Sequence, residues 1–186
     1  ALPISNKGAQ KNFGATEPAL GHLFEDMMVK IDEGIQISRL YQPRVEGELA
    51  IVLEKDLAGP GITALDVVRA TAGVTAALEI MDTRIIDWNV KVQDLVADNC
   101  SGAAFAIGGL LVPLKDFDPR YIGFVMEKNG QLVSTGTGVN VLGSPLESAA
   151  WLANKLAQLG ITLKAGEIIL TGAAAPPVPV EAGDSI

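Results

Sequence analysis

Val45-Glu46-Gly47-Glu48-Leu49-Ala50-Ile51-Val52-Leu53 sets two acidic residues at the head of an otherwise apolar run. The run predicts a strand over residues 45–53, and in a strand residues i and i+2 point the same way. Both carboxylates therefore leave one face, separated only by a glycine. Two like charges about 4 Å apart repel by roughly 4 kcal/mol at an effective dielectric of about 20. Bulk water at a solvated edge, a shared proton or a bound cation can offset that repulsion.

A third glutamate favours the cation. Glu79 lies in a similar setting, Val74-Thr75-Ala76-Ala77-Leu78-Glu79-Ile80-Met81-Asp82, and a charged side chain inside such a run is rarely buried without a partner. With no histidine or thiol nearby, the donors are hard oxygens, suited to Mg²⁺ or Mn²⁺ rather than to zinc or copper. Spacing alone leaves open whether Glu79 converges with the other two.

Composition narrows the class. The chain has 186 residues, 48% hydrophobic and only 19% charged, which predicts one well-buried globular domain. A net charge of −8 with no Lys/Arg cluster argues against nucleic acid and anionic membrane as partners. The single cysteine excludes an internal disulfide. No apolar stretch reaches the roughly 20 residues of a membrane span; the longest, residues 103–114, is broken by Gly108, Gly109 and Pro113. Without a signal-peptide pattern at the start, a cytoplasmic protein is the expectation.

Around the acidic strand, Leu20, Leu23, Phe24 and Met27 lie at helical spacing and predict a short helix over 19–28. Pro60-Gly61 marks a loop, after which Thr63 can cap a helix carrying Leu65, Val68 and Ala72. Residues 74–81 read as a second, buried strand, with helix as the alternative. Residues 122–128 and 131–135 flank Asn129-Gly130, a strong hairpin signal. A helix is expected over 145–159, with Ser144 as cap, Pro145 in its first position, Glu147 completing a capping box and Gly160 ending it. Leu152, Leu156 and Leu159 would form its inward stripe, and residues 167–170 begin another strand. Many strands, few helices and no regular β-α alternation predict an α+β domain built mainly on β-sheet.

Arg44-Val45-Glu46-Gly47-Glu48-Leu49-Ala50, Leu78-Glu79-Ile80-Met81-Asp82-Thr83-Arg84-Ile85 and Ala97-Asp98-Asn99-Cys100-Ser101 together resemble the 2-keto-4-pentenoate hydratase and 4-oxalocrotonate decarboxylase family of the fumarylacetoacetase superfamily. The resemblance continues through Gly143-Ser144-Pro145, Trp151-Leu152-Ala153-Asn154-Lys155-Leu156 and Gly166-Glu167-Ile168-Ile169-Leu170-Thr171-Gly172 to Gly183-Asp184. It implies a β-sandwich or roll like the fumarylacetoacetase C-terminal domain, with a few flanking helices. It also implies that residues 1–186 are one catalytic domain lacking an N-terminal helical segment and a final C-terminal strand. Glu46, Glu48 and Glu79 take the positions of the family's divalent-metal ligands. Ser101 takes that of a catalytic hydroxyl lining the substrate pocket, and Thr171 and Gly172 border the pocket, offering N–H donors to a carboxylate. Read without the resemblance, Ser101 is equally a turn serine and Thr171-Gly172 an ordinary strand end.

The implied activity is metal-dependent hydration of a 2-hydroxy-2,4-dienoate, or its 2-oxo tautomer, to a 4-hydroxy-2-oxo acid in the breakdown of aromatic compounds. Decarboxylation of a 2-oxo-enedioate and a non-catalytic partner subunit are the alternatives. Two departures bear on proton transfer. Pro18-Ala19-Leu20-Gly21 lacks the acid of the family's Pro-Asp-aromatic-Gly motif. The turn Pro3-Ile4-Ser5-Asn6 would place the family's pocket lysine at or before Ala1. His22, the only histidine, is expected on the surface or a pocket rim, Cys100 as a small buried thiol, and Arg84 and Lys155 in ion pairs.

The resembled family is oligomeric and associates with other enzymes of its pathway, and a mean hydropathy of +0.31 is high for a soluble chain, so copies should cover part of its surface. Light scattering of the full-length protein should return a multiple of the chain mass; a stable monomer overturns this.

Overall fold

The computed structural model describes residues 2–4, 7–12 and 14–186. Ala1, Ser5 and Asn6, where the pocket lysine and its turn were expected, lie outside the described residues. In chain order the elements are β1 (Leu2–Ile4), α1 (Lys7–Asn12), β2 (Ala19–Gly21), β3 (Arg44–Leu53), α2 (Ala64–Ala70), β4 (Thr71–Met81), α3 (Val92–Ala97), β5 (Gly102–Ile107), β6 (Gly123–Lys128), β7 (Gln131–Thr137), α4 (Pro145–Ala157), β8 (Ile168–Leu170) and β9 (Val178–Pro179). The architecture is α+β, organised on an antiparallel sheet ordered β5-β4-β3-β8 with β9 also on β3.

Both acidic strands form as expected, and β4 is paired on both sides, to β3 and β5, which rules out the helical alternative. Strand alternation gives β3 two different faces. Leu49, Ile51 and Leu53 enter a core with Val67, Ala149, Leu152, Ala153 and Leu156, so this half of the sheet packs on α2 and α4. Ala50, on the face of Glu46 and Glu48, packs instead with Ala19, Ala77, Cys100, Phe105 and Leu170. β8 and β9 occupy the same edge of β3 but at opposite ends, pairing with residues Ala50 to Val52 and with Arg44 and Val45. The chain between them closes the gap, with Thr171 N donating to Leu49 O and Ala174 N to Gly47 O.

The hairpin turns where Asn129-Gly130 places it. Both residues have positive φ, 55° and 74°, as a two-residue type I′ turn requires. In α4, Ser144 caps the helix and Pro145 opens it, but the Ser144 hydroxyl accepts from Leu146 N. The expected capping box with Glu147 is thus replaced by a simple N-cap. Leu152 and Leu156 are buried, whereas Leu159 lies beyond the helix and is 65% exposed.

Two expectations fail for tertiary reasons. Residues 19–28 are not a helix: Ala19–Gly21 pairs with Leu2–Ile4 as a strand, and only Glu25–Met27 makes a single 3-10 turn. The backbone of His22 is held instead by the Asn99 side chain, which accepts from His22 N at 2.7 Å and donates to His22 O at 2.8 Å. Such bonds outweigh a weak local periodicity. Likewise α2, capped by Thr63 as expected, buries Val67 and Ala70 while Leu65 and Val68 face out, and Ala72 belongs to β4. Among the described residues no helix is long and apolar enough to cross a membrane.

Leu152 has no exposed surface, so Leu152→Ala should cost about 2–5 kcal/mol in urea unfolding. Leu159→Ala should stay within about 0.5 kcal/mol; equal losses would restore Leu159 to the inward stripe.

Candidate metal centre

The β3–β4 register brings the three glutamates together. Glu46 stands directly opposite Glu79, and Glu48, two residues along β3, stands opposite Ala77. All three are buried, at 8%, 1% and 3% exposure. One carboxylate oxygen from each lies within 4.8 Å of the others. The convergence that spacing left open follows from antiparallel pairing, which puts directly opposed residues on one face.

Burial raises all three carboxyls. Glu46 is pushed to about 8, by desolvation first and then by Glu48, with Arg44 opposing. Glu48 is pushed to about 7 by desolvation, opposed first by the Gly172 N–H, which donates to its Oε2 at 2.7 Å. Glu79 is raised well above the ordinary range, by desolvation and then by Glu48 and Glu46. Glu48 Oε1 and Glu79 Oε1 are buried without a hydrogen-bond partner. A buried unsatisfied carboxylate oxygen is costly. Three hard oxygen donors converging with two of them unsatisfied fit a divalent cation.

Ser101 opens β5. Its carbonyl accepts from Asp82 N at 2.8 Å, one residue past the end of β4. Its side chain has no exposed surface, and its Oγ is without a partner. It follows Asn99 and Cys100 in an unusual turn: all three have left-handed φ, 51°, 59° and 60°. Cys100 is a buried thiol held up at about 12 by desolvation and then by Glu79, which makes it a poor nucleophile. Thr171 is fully buried and its hydroxyl donates to Leu49 O at 2.9 Å. The Gly172 N–H, expected to face a substrate carboxylate, is engaged by Glu48.

The remaining candidates are peripheral. His22 is exposed, lining a cavity of about 350 Å³ with Phe24, Phe105 and Ile168. Arg84 pairs with Asp98, and Lys155 with Glu17 at 2.9 Å. Ala19 sits on the glutamate side of the sheet with only a methyl group. One nearby residue drew no reading from the sequence. Arg44 precedes Glu46 by two positions on the same strand face and lies over the Trp88 ring at 4.6 Å. The i, i+2 rule that linked Glu46 and Glu48 already put it there.

This arrangement is a buried acidic sheet face whose three carboxylates could hold a metal ion. Residues 8–186 match the fumarylacetoacetate (FAA) hydrolase C-terminal family, and the chain belongs to it. A 2-keto-4-pentenoate hydratase of Burkholderia vietnamiensis is 41% identical over 181 residues, covering 97% of this chain and 69% of the relative. A 2-hydroxyhexa-2,4-dienoate hydratase of Comamonas testosteroni is 44% identical over 187 aligned positions, 98% of this chain and 70% of the relative. The solved 4-oxalocrotonate decarboxylase of Pseudomonas putida G7, complexed with magnesium and adipate, superposes with a TM-score of 0.93 at 36% identity. It covers 98% of this chain and 70% of that one.

In the metal-free protein each carboxyl releases its proton at higher pH when folded than the 4.5 ordinary for glutamate. Between about pH 4.5 and 8 the folded state therefore holds more protons than the unfolded, and stability must fall as pH rises. Thermal unfolding of the metal-free protein should show a lower Tm at pH 8 than at pH 5. Added Mn²⁺ should restore it most at pH 8, with protons released on binding. A Mn²⁺ stabilisation that does not grow with pH would remove these carboxyls from the metal site.

Proposed function

We infer that the protein is a hydro-lyase that adds water to a 2-hydroxy-2,4-dienoate, giving a 4-hydroxy-2-oxo acid. The observation that carries this is identity of 41–45% to several hydratases of such dienoates, in a chain whose buried glutamates can hold a divalent metal. The magnesium of the Pseudomonas putida decarboxylase supports Mg²⁺, or the chemically similar Mn²⁺, as the ion. When bound, such an ion supplies Lewis-acid stabilisation of negative charge on the substrate's 2-oxygen and carboxylate.

The chain's own residues supply the rest. Glu46, Glu48 and Glu79 are the ligands, with Glu48 fixed in advance by the Gly172 N–H. Their burial on an apolar sheet face keeps bulk water away, which strengthens charge interactions there. Thr171, bonded to Leu49 O and accepting at its own carbonyl from Ser148 Oγ at 2.7 Å, holds the Gly172 segment against β3. The unsatisfied Ser101 hydroxyl is the group that hydrogen-bonds the substrate or the incoming water. Ala19 offers no carboxylate, so proton transfer does not pass through that position. The substrate class places the reaction downstream of aromatic-ring cleavage.

The exposed apolar side chains of Tyr121, Val125 and Leu132 around the β6–β7 hairpin support the homo-oligomer expected from composition.

Incubating the full-length protein and Mn²⁺ with 2-hydroxypentadienoate should bleach the diene absorbance and yield the 4-hydroxy-2-oxo acid. Glu46→Gln should abolish Mn²⁺ binding and turnover together. Ser101→Ala should lower kcat by about 100-fold with Mn²⁺ binding intact. Release of CO₂ from 4-oxalocrotonate with no consumption of the pentadienoate would instead make the protein a decarboxylase.

A further inference from the structure

Charge balance at the site is incomplete. Three ionised carboxylates outweigh a dication by one charge, so a carboxylate substrate would meet residual repulsion on this face. Arg44 is the sole basic residue in β3, β4, β5, β8 and β9, the strands of the sheet. It shares the face of Glu46 and Glu48. Arg69, Arg84 and Arg120 each pair with an aspartate. Among the described residues, no carboxylate lies within ion-pair distance of the Arg44 guanidinium, despite Glu46 two positions away.

The reason is Trp88. The guanidinium lies over its ring, 4.6 Å from the centroid, a stacking that leaves the edge donors of the fork unspent. The ring is itself fixed. Trp88 Nε1 donates to Gln42 O at 3.1 Å, Asp87 N donates to Gln42 Oε1 at 2.9 Å, and Gln42 N donates to Asp82 Oδ1 at 2.7 Å. Asp87 and Trp88 accept left-handed φ of 57° and 54° to make these contacts. Arg44 is half-buried, so the fork is both pre-set and reachable.

We propose that Arg44, held flat on Trp88 at the half-buried end of the glutamate face, is a substrate-binding residue that takes the carboxylate of the dienoate. This rests on the hydratase reading, since it is that substrate whose carboxylate needs a partner. The planar fork suits a carboxylate and gives nothing to a neutral analogue.

The test is calorimetric titration of the Mn²⁺-loaded full-length protein with 2-oxopentanoate, a saturated analogue that cannot be hydrated. Arg44→Met should raise its Kd about 10-fold or more, with Arg44→Lys between the two, while the Kd for Mn²⁺ stays within about twofold. KM for the dienoate should rise in step, with kcat changed less. Should Arg44→Met not fold, Arg44→Lys alone must still weaken 2-oxopentanoate. An unchanged Kd in the variants overturns the proposal, as does a parallel loss of Mn²⁺ affinity, which would mean that Arg44 acts through Glu46. A wild-type protein that neither binds 2-oxopentanoate nor consumes the dienoate overturns the hydratase reading itself.

Discussion

Three carboxylates within 4.8 Å of one another on a buried sheet face are an arrangement that folding alone does not favour. Removing even one carboxylate from water costs several kcal/mol, and apolar residues in the same places would pack the sheet at no such penalty. The surrounding structure is what makes the cluster tolerable. β4 is held between β3 and β5, so Glu79 cannot slip out of register with Glu46 without turning every residue of the strand to the wrong face. The break between β8 and β9 on the edge of β3 frees one backbone N–H, that of Gly172, to point at Glu48 instead of into the ladder.

Backbone strain gathers around the same site. Asn99, Cys100 and Ser101 are left-handed in succession, a conformation costing roughly 1–2 kcal/mol per residue outside glycine. It persists because both ends are tied: Ser101 N donates to Asp98 O and Asp82 N to Ser101 O, each at 2.8 Å, while Asn99 grips the His22 backbone. Gly21 fits against this turn so closely that a Cβ there would sit 2.8 Å from Asn99 O. Strain of this kind is retained where surrounding contacts over-determine it, and here it delivers a fully buried, unpartnered hydroxyl at Ser101.

How much of this the sequence discloses depends on whether each signal is local. The acidic strand, the Asn129-Gly130 hairpin and the Ser144-Pro145 helix start are legible because a few adjacent residues determine each. Residues 19–28 are misread because β1 and Asn99, distant in sequence, hold that backbone. The outward turn of Leu65 and Val68 is lost for a related reason: α2 packs through Val67 and Ala70 in a core shared with α4, and only tertiary packing selects that face. The pairing of Glu46 with Glu79 lies between these cases. Each strand is legible by itself, but their register is not. Ser101 drew its candidacy from resemblance alone, since no local pattern signals three left-handed residues in a row.

The glutamates are also unlike one another, and the difference follows from what each touches. Glu48 has a backbone N–H on one oxygen, which favours its charged form, whereas Glu79 faces two carboxylates as like-charged neighbours. Glu46 is raised by burial and then by Glu48, and drawn down by Arg44. The three carboxyls therefore stand in unequal surroundings. Glu48 is held by the Gly172 N–H, whereas Glu79 is raised well above the ordinary range by burial and then by the two neighbouring carboxylates. A divalent cation held by these carboxylates would favour their ionised forms and release protons on binding. The split edge of β3 thus supplies one carboxylate with a backbone N–H, which a continuous ladder would have used up.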